Sequence, residues 1–172
     1  MEIFFNQVTI DRSQQLLKAH DFSSGKYVYL NLGAAVEGRR WMVGRFGELA
    51  RLILKTTPWN IILGGGPNEK KRALTILNQL NTPRAIEVCS QPILVNAGII
   101  SKAKLMVTAD TGPMHIAAAS GCRTIVLYAL GSDPALCAQR GDQELYRRHS
   151  SPCSDIVLWW WNAFVVEPSR VP

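Results

Sequence analysis

Five short apolar segments, rich in β-branched and aromatic residues, alternate with helical patterns between Tyr27 and Tyr128. They are "YVYLNL" (Tyr27–Leu32), "NIIL" (Asn60–Leu63), "AIEV" (Ala85–Val88), "KLMVT" (Lys104–Thr108) and "TIVLY" (Thr124–Tyr128). None alternates apolar with polar, as a strand with one wet face would. Between them, apolar residues recur at helical spacing. Phe46, Leu49, Ala50, Ile53 and Leu54 make one such face, and Ala73, Ile76, Leu77 and Leu80 another. Pro92 opens a further helix to about Lys102, and Thr111-Gly112-Pro113 caps one running to about Ser120. Strand–helix alternation of this kind predicts a doubly wound α/β domain, a parallel sheet covered on both faces.

The remainder of the chain breaks the rhythm. Residues 1–26 read as a lead-in or linker with a weak strand ("MEIFF") and a short helix pattern around Leu16 and Leu17. Residues 27–131 form the α/β domain. Residues 132–172 form an extension, first polar and Arg-rich, then ending in an apolar tail around Trp159-Trp160-Trp161. Such a tail packs on its own core by default; it can also serve as surface for another domain or a membrane.

A chain of 172 residues with 47% hydrophobic and 19% charged residues has the balance of one globular domain, not of a disordered segment. No apolar run reaches the roughly 20 residues of a spanning helix, and the N-terminal residues lack a signal-peptide pattern. The expectation is a soluble, intracellular protein. The four cysteines, Cys89, Cys122, Cys137 and Cys153, stand far apart with no histidine at ligand spacing. They predict reduced thiols, with neither a metal site nor a disulfide framework. A formal charge of +6 favours anionic partners without separating nucleic acid, lipid and phosphorylated small molecules. A nucleic-acid binder has only that charge in its favour, since neither a recognition helix nor an aromatic RNA-binding sheet is visible.

Ligands of open parallel sheets bind beyond the carboxyl ends of the strands. The unusual clusters of this chain fall there: "GAAVEGRRW" after the first strand, "GGGPNE" after the second, "ADTGPMH" after the fourth. Thr111 and Gly112 place a hydroxyl and an approachable backbone at a helix N-terminus, which suits a phosphate. Asp110 is an acceptor for sugar hydroxyls, His115 can donate to a phosphate oxygen, and Arg39 or Arg40 can clamp it. Each has a plainer reading: Asp110 as a helix cap, His115 as a structural residue, the glycines as a turn, the arginines as solvated. Dinucleotide, P-loop and nucleophile-elbow signatures are missing.

"ADTGPMHIAAASG" (Ala109–Gly121) closely resembles the Asp-Thr-Gly-Pro-x-His-x-Ala-Ala-Ala-x-Gly signature of the glycosyltransferase family 9 heptosyltransferases, which build the lipopolysaccharide inner core. "NLGAAVEGRRW", "RFGELARLI" and "IILGGGPNE" resemble the preceding turns and helix of that family, in the same order. The resemblance implies the C-terminal, Rossmann-like half of a GT-B glycosyltransferase, binding a nucleotide-sugar donor, ADP-heptose in particular. It places Ala34, Ala35, Arg39 and Gly65 in the donor site, with Arg39 on the phosphate and Glu69 on the ribose. Asp110 would lie against the sugar, with Thr111, Gly112 and His115 lining the diphosphate and sugar pocket.

There are departures. Ala34 and Ala35 replace hydroxyl residues of some members, and Arg39 replaces a lysine. Arg123 stands for a usual proline, and Tyr128-Ala129 for a Phe-Gly pair. In the family, the acceptor domain carrying the general base precedes the matched region; about 26 residues precede the first strand here, too few for a domain. The implied chain is a donor-binding half with no catalytic base of its own. It needs no cofactor or metal, and it works in the cytoplasm or peripherally at the inner membrane, with an acceptor domain or partner chain. The alternative is a non-catalytic nucleotide or nucleotide-sugar module serving a separate partner.

Overall fold

The computed structural model describes residues 6–22, 26–34 and 40–128, and the backbone of residues 144–149 and 156–161. Five strands form a parallel sheet: β1 (Tyr27–Asn31), β2 (Asn60–Gly64), β3 (Ala85–Glu87), β4 (Leu105–Ala109) and β5 (Thr124–Tyr128). The spatial order β3-β2-β1-β4-β5 puts β1 at the centre, paired with β2 through Val28↔Ile61 and with β4 through Val28↔Leu105.

Helices α1 (Gln7–Ala19), α2 (Val43–Thr56), α3 (Lys70–Leu80), α4 (Ile93–Ile100) and α5 (Gly112–Ala119) cover the sheet. Successive strand residues point to opposite faces, so burying both faces makes two cores. Val28, Leu30, Ile61, Leu63 and Val107 pack with Phe46 and Ala50 of α2 and Ala73 and Ile76 of α3. Tyr27, Tyr29, Ile62, Ile86 and Met106 pack with Leu17 of α1, Val95 and Ile99 of α4 and Ala117 of α5. Each buried Val, Leu, Ile, Phe or Met among them contributes about 1.5–3 kcal/mol relative to exposure. The doubly wound sheet expected from the alternation is the architecture found.

The short helix pattern before β1 is α1. Asn6 caps it, its side chain accepting from the Thr9 N–H at 2.8 Å, and the helix lies against α4 with Thr9, Ser13 and Leu17 buried. "MEIFF" falls outside the described residues. Arg84, ahead of β3, donates to three carbonyls: Leu54 at 3.0 Å, Thr57 at 2.9 Å and Trp59 at 2.7 Å. It ties the C-terminal end of α2 to the entry of β2, a place where a cation suits the helix dipole.

Two further strands, β6 (Glu144–His149) and β7 (Ile156–Trp161), extend the sheet beyond β5 in the order β5-β7-β6, both antiparallel to their neighbours. The backbone of Trp159–Trp161 pairs with Thr124–Val126, so the tail joins the chain's own sheet. The polar "ELYRRH" had no strand signature. As the outermost strand it can carry charge, which discourages further edge pairing. Among the described residues no helix is long and apolar enough to cross a membrane.

Candidate functional site

β1 lies between β2 and β4, and the connections from β1 and β4 run in opposite directions along the sheet: β1 leads through α2 to β2, whereas β4 leads through α5 to β5. At such a switch point the loops part and leave a crevice. The crevice here is a cleft of about 570 Å³. Asn31, Gly33, Ala34 and Arg40 line it from the β1 side; Gly65, Gly66 and Glu69 from the β2 turn; Gln91, Ile93 and Asn96 from the start of α4; Thr111, Gly112 and Pro113 from the start of α5.

Glu69 sits in this wall only 6% exposed. Its Oε2 accepts the Gly66 N–H at 3.0 Å, and its Oε1 faces the Arg40 guanidinium at 3.7 Å. Arg40 Nε donates to the Ala34 carbonyl at 3.1 Å, so one arginine bridges the β1 loop and the β2 turn. Glycine is demanded next to Glu69. Gly65 has φ +150°, and a Cβ there would lie 2.9 Å from the Glu69 Cβ. Gly64 is constrained differently, since a side chain on it would overlap the Tyr29 ring beneath the cleft.

On the opposite wall Thr111 occupies the N-cap position of α5, with φ −151° and ψ 168°, yet makes no side-chain capping bond. Its hydroxyl is held instead by Asn31, whose side-chain amide donates to Thr111 Oγ1 at 3.1 Å, to Thr108 Oγ1 at 2.9 Å and to the Gly33 carbonyl at 3.2 Å. Asn31 is 1% exposed and links the ends of β1 and β4. Asn96, also buried, spans the β3–α4 loop by donating to the carbonyls of Val88 and Gln91. The Oδ1 atoms of Asn31 and Asn96 have no hydrogen-bond partner among the described residues.

Among the expected site residues, Ala34, Gly65, Glu69, Thr111 and Gly112 all line the cleft. Asp110 is half-buried at the end of β4, and His115 is exposed on α5; neither is among the lining residues. Ala35 and Arg39 fall outside the described residues, while the second arginine of the pair, Arg40, lies in the cleft. Asn31, Gln91 and Asn96 were missed. For Asn31 there was a signal: an amide closing an otherwise apolar strand at a sheet edge that binds ligands. Of the four thiols, Cys89 and Cys122 are free and buried. Burial, reinforced by Glu87 and Glu69, pushes Cys89 up to about 12. Burial pushes Cys122 up to about 11, with Thr124 acting in the opposite direction. No group of three or more His, Cys, Asp or Glu among the described residues is placed to hold a metal ion.

The family profile that matches these elements is glycosyltransferase family 9 (heptosyltransferase), over residues 4–147. The chain belongs to this family. A Haemophilus influenzae protein described as "Putative glycosyltransferase" is 25% identical over 104 residues, 60% of this chain and 30% of its own length. Among solved structures, the glycosyl transferase family 9 protein of Veillonella parvula superposes with a TM-score of 0.69 at 22% identity, covering 78% of this chain and 39% of that one. ADP-heptose lps heptosyltransferase II of E. coli gives 0.66 at 22% identity, covering 84% and 45%. E. coli heptosyltransferase WaaC, solved with ADP-2-deoxy-2-fluoro heptose, gives 0.60 at 24% identity, covering 71% and 38%. At these identities the structural likeness is one of fold. The family 9 chain described here spans less than half the length of these relatives.

Proposed function

We propose that this family 9 chain is the donor-binding half of an inverting glycosyltransferase, and that its switch-point cleft holds a nucleoside diphosphate sugar, ADP-heptose in particular. One observation carries the reading: a buried carboxylate, Glu69, and a side-chain-uncapped helix N-terminus, Thr111-Gly112-Pro113, line the same cleft. A carboxylate accepts from both hydroxyls of a ribose, and a helix N-terminus with a hydroxyl beside its N–H groups donates to a diphosphate. Arg40 supplies a cation, and Arg39 is assigned the same task on the phosphate.

In the reaction, a general base takes the proton of an acceptor hydroxyl. The acceptor oxygen attacks the anomeric carbon from the face opposite the diphosphate. A carbon–oxygen bond forms as the one to the diphosphate breaks, and the nucleoside diphosphate leaves with the electron pair. This half contributes by holding the developing charge with donors already in place. Asp110 and His115 are assigned to the sugar end. The product would belong to lipopolysaccharide or another envelope glycan, made on the cytoplasmic side of the inner membrane.

The test is thermal unfolding with ADP, UDP, GDP and an ADP-sugar. Ligand at about 100 times its Kd stabilises by about 2.7 kcal/mol. A shift with one nucleotide family, lost in Glu69→Gln and in Thr111→Val, is the expected result. Equal shifts in all three proteins would remove this cleft as the donor site.

A further inference from the structure

The hydrogen bonds around Asn31 have a direction. Its amide nitrogen only donates, and its two hydrogens meet three acceptors: the Gly33 carbonyl, and the neighbouring hydroxyls of Thr108 and Thr111, which share one N–H. Turned the other way, Oδ1 would face the Gly33 carbonyl, acceptor against acceptor. Thr108 gives its own proton to the Ala109 carbonyl at 2.9 Å, so towards Asn31 it is an acceptor. Thr111 accepts from Asn31 too, which leaves its proton without a short internal destination. The Thr108 hydroxyl is 3.3 Å away and the Ala109 carbonyl 3.4 Å, both long against the usual 2.7–2.8 Å of an O–H···O bond. An acceptor placed in the cleft, which Thr111 lines, offers that proton a shorter bond than either. Asn31 holds this orientation while its own buried Oδ1 goes without a partner among the described residues.

We infer that Asn31 is a positioning residue that fixes the Thr111 hydroxyl as a donor into the cleft, so that Thr111 meets a diphosphate with its proton and not with its lone pairs. The inference rests on the nucleotide-sugar reading above and adds a determinant of phosphate affinity to it. Asn31 lines the cleft but is only 1% exposed, and its part is to act through Thr111. Its effect therefore falls on the diphosphate and not on the nucleoside, and it disappears when Thr111 has no hydroxyl to orient.

The experiment measures Kd for whichever of ADP, UDP and GDP the wild-type chain binds best, and for the parent nucleoside. The proteins are wild type, Asn31→Leu, Thr111→Val and the double variant. Asn31→Leu should weaken the diphosphate roughly tenfold, the scale of one charge-assisted hydrogen bond, and the nucleoside by about twofold or less. In the Thr111→Val background the same change should cost the diphosphate about twofold or less. Asn31→Asp, isosteric with the native residue, is the second variant. Its carboxylate takes the Thr111 proton for itself, so diphosphate affinity should fall further than in Asn31→Leu. Equal losses for diphosphate and nucleoside, the same loss with and without the Thr111 hydroxyl, or wild-type affinity in Asn31→Asp would each overturn the inference alone. A wild-type chain that binds none of the three diphosphates would overturn the nucleotide reading, and the inference with it.

Discussion

Arg40 and Glu69 are joined across the cleft wall, Nη2 to Oε1 at 3.7 Å, with the carboxylate buried and the arginine a quarter exposed. The pair is asymmetric. Arg40 has solvent and the Ala34 carbonyl to turn to, whereas Glu69 otherwise has the Gly66 N–H. Arg40→Leu should therefore lower stability by about 1–2 kcal/mol, less than the 3–5 kcal/mol of breaking a fully buried pair. Glu69→Gln in the Arg40→Leu background should regain part of that loss, because a neutral amide needs no counter-charge. Urea unfolding of the four proteins checks both statements.

Gly65 and Gly112 line the same cleft and should respond in opposite ways to alanine. At Gly65 the φ of +150° and the 2.9 Å approach to Glu69 strain any side chain, so Gly65→Ala should cost about 1–3 kcal/mol and disturb Glu69. At Gly112 nothing lies within 4 Å of the added carbon, and the residue begins a helix. Gly112→Ala should leave stability unchanged or raise it by up to about 1 kcal/mol. If a diphosphate packs on this backbone, Gly112→Ala still loses nucleotide affinity. Thermal unfolding with and without nucleotide separates the two effects.

The sheet was legible because a parallel strand buried on both faces has to be an apolar run, and the five runs map onto β1 to β5. Strand β6 was not, since the polar "ELYRRH" carries no such demand at the edge of the sheet. For the site, the strand-end rule located Thr111, Gly112, Gly65 and Glu69 in one cleft. It could not choose within the Arg39-Arg40 pair, because adjacent loop residues have no periodicity to say which faces inward. Nor could it foresee the Asn31 bonds to Thr108 and Thr111, which arise only when β1 and β4 become neighbours. Contacts between residues nearly eighty positions apart are a property of strand order and not of local pattern.

Arg84 offers a stability test away from the cleft. Its guanidinium serves the carbonyls of Leu54, Thr57 and Trp59, which leave the end of α2 with few alternatives once it is gone. Arg84→Ala should cost about 2 kcal/mol, in the range for hydrogen bonds to a charged group, or several degrees in Tm. Arg84→Lys should recover little of it, since one ammonium cannot span three carbonyls in the plane of a guanidinium. Nucleotide affinity should stay at the wild-type value in both variants.

Alkaline pH should unfold the chain through its buried thiols. Cys89 and Cys122 have an ordinary value near 9.0 and are pushed up to about 12 and about 11 in the fold, by burial in both cases and by Glu87 and Glu69 as well at Cys89. Between pH 9 and 11 the unfolded chain loses protons that the folded chain keeps. Unfolding is thereby favoured, and the stability present below pH 9 is lost as pH rises, by about 1.4 kcal/mol per pH unit for each thiol. Burial also raises the hydroxyls of Tyr27 and Tyr29, which continues the decline above pH 10. Urea midpoints across pH 8 to 11 should fall, and the slope should flatten in Cys89→Ala and Cys122→Ala although both start from lower stability. An unchanged slope in the two variants would mean that other groups carry the alkaline transition.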